Sequence, residues 1–113
     1  MLTLKIKPIS VNECYRGRRF KTPLYNAYEA EMNYLLPKGL KVPEKAKIVL
    51  KLGFSNKRCD IDNPVKIILD ILQKAYNFND KQVYKLEVEK VDVAKGKEFI
   101  SFDILSYTGG DGW

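Results

Sequence analysis

Residues 2–7, Leu-Thr-Leu-Lys-Ile-Lys, alternate apolar and polar side chains with a period of two, which predicts a half-buried strand ended by Pro8. Residues 10–23, SVNECYRGRRFKTP, are polar and basic without a sustained period and read as a long loop. A helix is expected to open at Thr22 or Pro23 and run to about Leu36. Leu24, Ala27, Tyr28, Met32, Leu35 and Leu36 keep helical spacing, and Pro37-Lys38-Gly39 stops it. Ala46, Ile48, Leu50 and Leu52 then alternate with Lys47, Val49, Lys51 and Gly53, a second strand reaching about Phe54.

The clearest amphipathic pattern follows. Val65, Ile68, Leu69, Leu72, Ala75 and Tyr76 form one apolar stripe, while Lys66, Asp70 and Gln73 line another face. Pro64 suits the first helical position, Asn63 the N-cap, and Asn77 a left-handed closing residue. Ile67 and Ile71 widen the apolar surface, to be covered by a broad core or by another subunit. Strands are expected over residues 83–93 and 98–105, joined as a hairpin by Ala94-Lys95-Gly96-Lys97. The expected fold is α+β, a mixed sheet in the order β-α-β-α-β-β with two helices packed on it. It occupies one domain, residues 1–106, and residues 107–113, rich in glycine, form a flexible tail.

Composition narrows the chemistry. With 45% apolar and 30% charged residues in 113, the chain has the make-up of an ordinary globular domain. No apolar run approaches the roughly 18 residues of a membrane span. The opening MLTLKIKPIS lacks the pattern of a secretory signal, so a cytoplasmic location is expected. There is no histidine. That excludes Ser-His-Asp hydrolysis, histidine-based nuclease chemistry and Cys/His zinc sites. Two cysteines, Cys14 and Cys59, are too few for a disulfide scaffold. Residues 1–58 hold thirteen Lys/Arg and four Glu, net +9, whereas residues 59–113 hold seven Lys and ten Asp/Glu, net −3. A basic half beside an acidic one fits a polyanionic partner, or a merely soluble basic surface.

Two stretches carry candidate chemistry. In Arg58-Cys59-Asp60-Ile61-Asp62-Asn63-Pro64-Val65-Lys66, an extended Asp60 and Asp62 project together, while Cys59 and Ile61 point toward a core. Paired carboxylates repel unless a cation lies between them. Asp80 lies just past the helix, and a strand–helix–strand layout can return the chain beside its start, where Asp80 would join them; three carboxylates plus water make the hard-oxygen set that Mg²⁺ takes. Lys66 lies one turn into the helix, at the rim of such a site. The plain structural alternatives are solvated or capping aspartates, a turn at Asp80, and an exposed Lys66–Asp70 pair. The second stretch, Tyr15-Arg16-Gly17-Arg18-Arg19-Phe20-Lys21, sets Arg16, Arg18, Arg19 and Lys21 among aromatics, a composition that grips phosphates and stacks on bases, or else a solvated loop. Lys57 and Arg58 add cations beside the aspartates. No Walker or G-x-G-x-x-G motif is present.

Taken in order, Pro8-Ile9-Ser10-Val11-Asn12 with Tyr15 and Arg16, then Arg58-Cys59-Asp60-Ile61-Asp62-Asn63 with Lys66, then Asp70-Ile71-Leu72, and Asn79-Asp80-Lys81-Gln82-Val83 resemble the RusA family of Holliday-junction resolvases, small endonucleases of bacteria and their phages. The resemblance spans residues 8 to about 93. It implies a homodimer that binds a four-way junction in branched DNA and cuts it symmetrically with Mg²⁺. The metal ligands fall on Asp60, Asp62 and Asp80, and the lysine needed for cleavage falls on Lys66. With no histidine to act as base, a water activated by the ion is the expected nucleophile. The family often shows two aspartates before x-Q-V, and here the first is Asn79; its helix-ending glycine is replaced by Asn77. Two other classes fit the residues: a non-catalytic branched-DNA-binding module, and a nuclease acting broadly on flaps and forks.

Overall fold

The alternation around residue 50 makes the central strand. In the computed structural model, which describes residues 1–9, 15–16, 20–62 and 64–108, strand β4 spans Ala46–Phe54, and Ala46, Ile48, Leu50 and Leu52 are fully buried. Three strands precede it: β1 (Leu2–Leu4) and the short pair β2 (Tyr15–Arg16) and β3 (Phe20–Lys21). Helix α1 (Pro23–Leu35) lies between β3 and β4, and helix α2 (Val65–Tyr76) follows β4. Strands β5 (Val83–Asp92) and β6 (Phe99–Ser106) complete the fold. The main sheet has the order β1-β6-β4-β5, with β5 parallel to β4 and β6 antiparallel to it. This is the expected α+β architecture, a mixed sheet with two helices.

Both helices cover one face. Tyr25, Tyr28 and Met32 of α1 and Ile67, Ile68, Ile71 and Leu72 of α2 join Ile48, Leu50, Leu52, Ile100 and Phe102 in a single core. The other face carries Lys47, Lys51 and Asp103, a polar surface of the kind a one-sided sheet presents. Ile67 and Ile71 are buried within the chain, so the broad-core alternative holds for them. On α1 the inward stripe is Tyr25, Tyr28, Met32 and Leu36 rather than one containing Leu24 and Ala27, which are exposed. Tyr25 is admitted because its hydroxyl, 3.3 Å from Glu29 Oε2, keeps a polar partner.

Three expectations are corrected. β5 and β6 do not form a hairpin: β4 stands between them, and residues 93–98 cross its end. Val93 N–H donates to Phe54 O at 2.8 Å, and Ser55 Oγ donates to Glu98 Oε2 at 2.6 Å, tying the crossing to β4. The reason is burial. β4 is the most apolar strand and takes a neighbour on each side, while the charged, largely exposed β5 suits an edge. Within the expected loop at residues 10–23, β2 and β3 pair antiparallel, Tyr15 opposite Lys21 and Arg16 opposite Phe20. β1 is shorter than its alternation, ending at Leu4, although Ile6 and Ile9 remain in the core. At the other end, Tyr107 N–H donates to Lys45 O and its ring stacks on Tyr84; residues 109–113 of the expected tail lie outside the described residues.

Candidate active site

The site begins where β4 stops. Asn56 makes a tight turn after it: its side-chain oxygen accepts the Arg58 N–H at 3.0 Å, and its carbonyl accepts the Cys59 N–H at 3.3 Å. Lys90, reaching across from β5, donates through Nζ to Cys59 O at 2.6 Å and to Lys57 O at 3.0 Å. Cys59 packs partly against the core as expected. Ile61 does not; it is 40% exposed. Its side chain borders a cleft with Asp62, because the segment stays on the surface until Asp62 O accepts the Val65 N–H at 3.2 Å and α2 begins. Asp60, Asp62, Lys57 and Arg58 are all exposed. Asn63, the expected N-cap, lies outside the described residues. Pro64 has φ −81° and accepts the Ile68 N–H, so it serves as the first helical residue in all but name.

Helix α2 ends at Asn77, whose φ of 50° and ψ of 56° are left-handed, the conformation expected of a residue in a closing glycine's place. The chain then turns through a 3₁₀ turn, Asp80–Gln82. Asn79 caps it: its side chain accepts the Lys81 N–H and its N–H donates to Gln82 Oε1, both at 3.0 Å. Gln82 also donates to Pro43 O at 3.2 Å. Asp80 is therefore held on a fixed turn, and an amide at position 79 does the capping as well as a carboxylate.

A cleft of about 480 Å³ runs between α2 and β5. Asp62, Lys66, Asp70 and Asp80 line it, with Ile61, Val65, Leu69, Leu86 and Val88 as its apolar wall. Lys66 thus stands in the same cleft as two of the three expected metal ligands; Asp60 does not line it. The cleft separates those ligands as well as joining them. Asp62 precedes α2 and Asp80 follows it, and a helix of 12 residues is roughly 18 Å long. The register agrees: Val83, just after Asp80, pairs with Ala46 at the start of β4, whereas Asp60 and Asp62 follow its end. Among the described residues no three acidic or thiol side chains gather closely enough to hold one ion. The strand–helix–strand layout therefore does not bring Asp80 to the aspartate pair within one chain.

Of the basic residues, Arg16 and Lys21 fall on the β2–β3 ribbon, and Arg18 and Arg19 lie outside the described residues. Sequence reasoning missed Lys90 and the apolar wall. Period two along β5 aligns Leu86, Val88 and Lys90 beside Ile48, Leu50 and Leu52, so a lysine at a core-facing position was the available signal.

The family model for the endodeoxyribonuclease RusA matches residues 9–101 of the chain. The chain belongs to the RusA family. RusA membership makes it an endodeoxyribonuclease, a hydrolase acting on DNA, in a family of nucleases that resolve branched Holliday junctions and are generally metal-dependent. No curated protein matches the chain. Among the described residues no helix is long and apolar enough to cross a membrane.

Proposed function

We propose that the protein is a Mg²⁺-dependent resolvase that acts as a homodimer and cuts a four-way junction by paired symmetric phosphodiester hydrolysis. The observation that carries this reading is the lining of one α2–β5 cleft by Asp62, Lys66 and Asp80 in a chain of the RusA family. The donor chemistry fits a hard divalent ion: Asp60, Asp62 and Asp80 offer carboxylate oxygens, with no imidazole in the chain. Bound there, Mg²⁺ supplies Lewis-acid polarisation of the scissile phosphate and a more acidic water. Lys66 contributes a fixed positive charge to the phosphoryl oxygens as negative charge grows on them. Lys57 and Arg58, beside the aspartates, offset the repulsion a phosphodiester meets on approach. Arg16, Arg18, Arg19 and Lys21 grip the junction backbone.

The helix length between Asp62 and Asp80 favours a site shared by two subunits. A two-fold axis near Leu69, crossing the groove, runs α2 of one protomer against α2 of its partner in the opposite direction. That arrangement brings Asp60 and Asp62 toward the partner subunit's Asp80, and it buries Ile61, Val65, Leu69, Leu86 and Val88. The test is a Mg²⁺ titration of cleavage on a mobile synthetic junction, with flap, fork and plain duplex as controls. Asp60→Asn, Asp62→Asn and Asp80→Asn should each abolish cutting while junction binding survives. Tight binding without product at any Mg²⁺ concentration leaves a binding module, and comparable cutting of flaps and forks leaves a broader nuclease.

A further inference from the structure

Lys90 spends its charge on the backbone of the loop that carries the aspartates. It is half-buried on β5, at the register position beside Leu52, where its two predecessors on that face are Leu86 and Val88. Placing an ammonium there costs desolvation, which two charge-assisted hydrogen bonds offset. Its Nζ lies 5.5 Å from the centroid of the Phe54 ring, at the end of β4, and donates to the carbonyls of Lys57 and Cys59. The second bond, at 2.6 Å, holds the oxygen of the peptide that links Cys59 to Asp60. A peptide unit is planar, so fixing its oxygen also fixes the direction in which Asp60 leaves the turn. The Asn56 turn secures residues 56–59 from inside the loop; Lys90 secures them from the neighbouring strand.

We infer that Lys90 is a positioning residue for the metal ligands, clamping the 57–59 backbone so that Asp60 and Asp62 are presented in a fixed direction to a divalent cation. This rests on the proposed role of those aspartates. Groups that orient metal ligands from behind change metal affinity by about 10–100-fold when removed. Lys90→Met keeps the stem over Phe54 and deletes the donors; Lys90→Arg restores donors and stacks on the same ring.

The experiment compares wild type, Lys90→Met, Lys90→Arg and Asp62→Asn. It measures amide hydrogen exchange, Mg²⁺ binding by calorimetry without DNA, and the Mg²⁺ dependence of junction cleavage. Lys90→Met should exchange faster at residues 56–62 only and bind Mg²⁺ about tenfold more weakly. Its cleavage should recover at high Mg²⁺, and Lys90→Arg should return toward wild type in all three measurements. The inference is overturned if Lys90→Met keeps the wild-type Mg²⁺ dependence. That holds whether the variant instead loses junction affinity, as a phosphate-binding lysine would, or exchanges faster across the whole sheet, as a structural lysine would. If Asp62→Asn cleaves normally, the ligand assignment fails and this inference with it. If Asp62→Asn is inactive and Lys90→Met has unchanged Mg²⁺ binding, only the role of Lys90 fails.

Discussion

Gly53 and Phe99 face each other across β4 and β6, and a β-carbon on Gly53 would run into the Phe99 ring. The glycine leaves room for that ring, which belongs to the first residue of β6. Gly53→Ala should lower stability by about 1–3 kcal/mol, the usual cost of overpacking. Chemical denaturation checks this, and the cost should shrink in a Phe99→Ala background because the clash is then gone. Lys66 illustrates a different residue-scale question. It lines the cleft together with Asp62 and Asp80, and also with Asp70 four residues along the same helix. If it acts on the developing phosphoryl charge, Lys66→Ala should reduce single-turnover cleavage by orders of magnitude with little change in melting temperature or junction affinity. Equal damage from Asp70→Ala would transfer the effect to an ion pair within α2.

The connection between β5 and β6 is where local pattern and global arrangement part. Alternation located both strands to within a residue or two, and the Ala94–Lys97 turn forms, with Lys97 N–H donating to Ala94 O at 2.9 Å. Yet a turn of that length serves either a hairpin or a crossing, and which one forms depends on burial at β4, a long-range quantity that spacing does not encode. The crossing is fastened by Glu98, whose carboxyl is held below its ordinary value of 4.5, chiefly by the hydrogen bond from the Ser55 hydroxyl. A carboxyl with a depressed folded-state pKa contributes stability that is present above its unfolded value and is lost as pH falls through the folded one. Glu98→Gln should therefore lower the melting temperature near about pH 7, with a gap that narrows toward about pH 3 as the carboxyl is protonated. A constant gap between the two proteins at both pH values would show that the carboxylate's charge contributes nothing there. Helix ends, by contrast, were legible, because Thr22, Pro23 and Asn77 each have a backbone reason to stand where they do.

At the scale of the molecule, the basic first half and acidic second half meet around the loop after β4, where Lys57 and Arg58 adjoin Asp60 and Asp62. The candidate residues were readable from the D-x-D-N-x-x-K order. Their separation was not, because it depends on β5 running parallel to β4, which sends Asp80 to the far end of α2. Replacing Arg18 and Arg19 together by Ala should weaken junction binding and flatten its dependence on log salt, by about 0.9 unit for each duplex phosphate no longer neutralised. A melting temperature that falls while affinity and slope hold would move the DNA surface to Lys57 and Arg58. The shared-site arrangement makes a sharper demand. If Asp60 and Asp62 work with the partner subunit's Asp80, then Asp62→Asn and Asp80→Asn, each inactive alone, complement one another on mixing. In a mixed dimer one site carries both substitutions and the other carries neither, since each subunit donates its intact acid to the same site. Nicking of the junction should reappear while coordinated paired cutting does not, because only one strand faces a complete site. If each chain instead assembled its own ligands, both sites of the mixed dimer would hold one substitution and the mixture would stay inactive. Subunit exchange can be verified independently with two affinity tags, so that an inactive mixture of confirmed mixed dimers counts against the shared site.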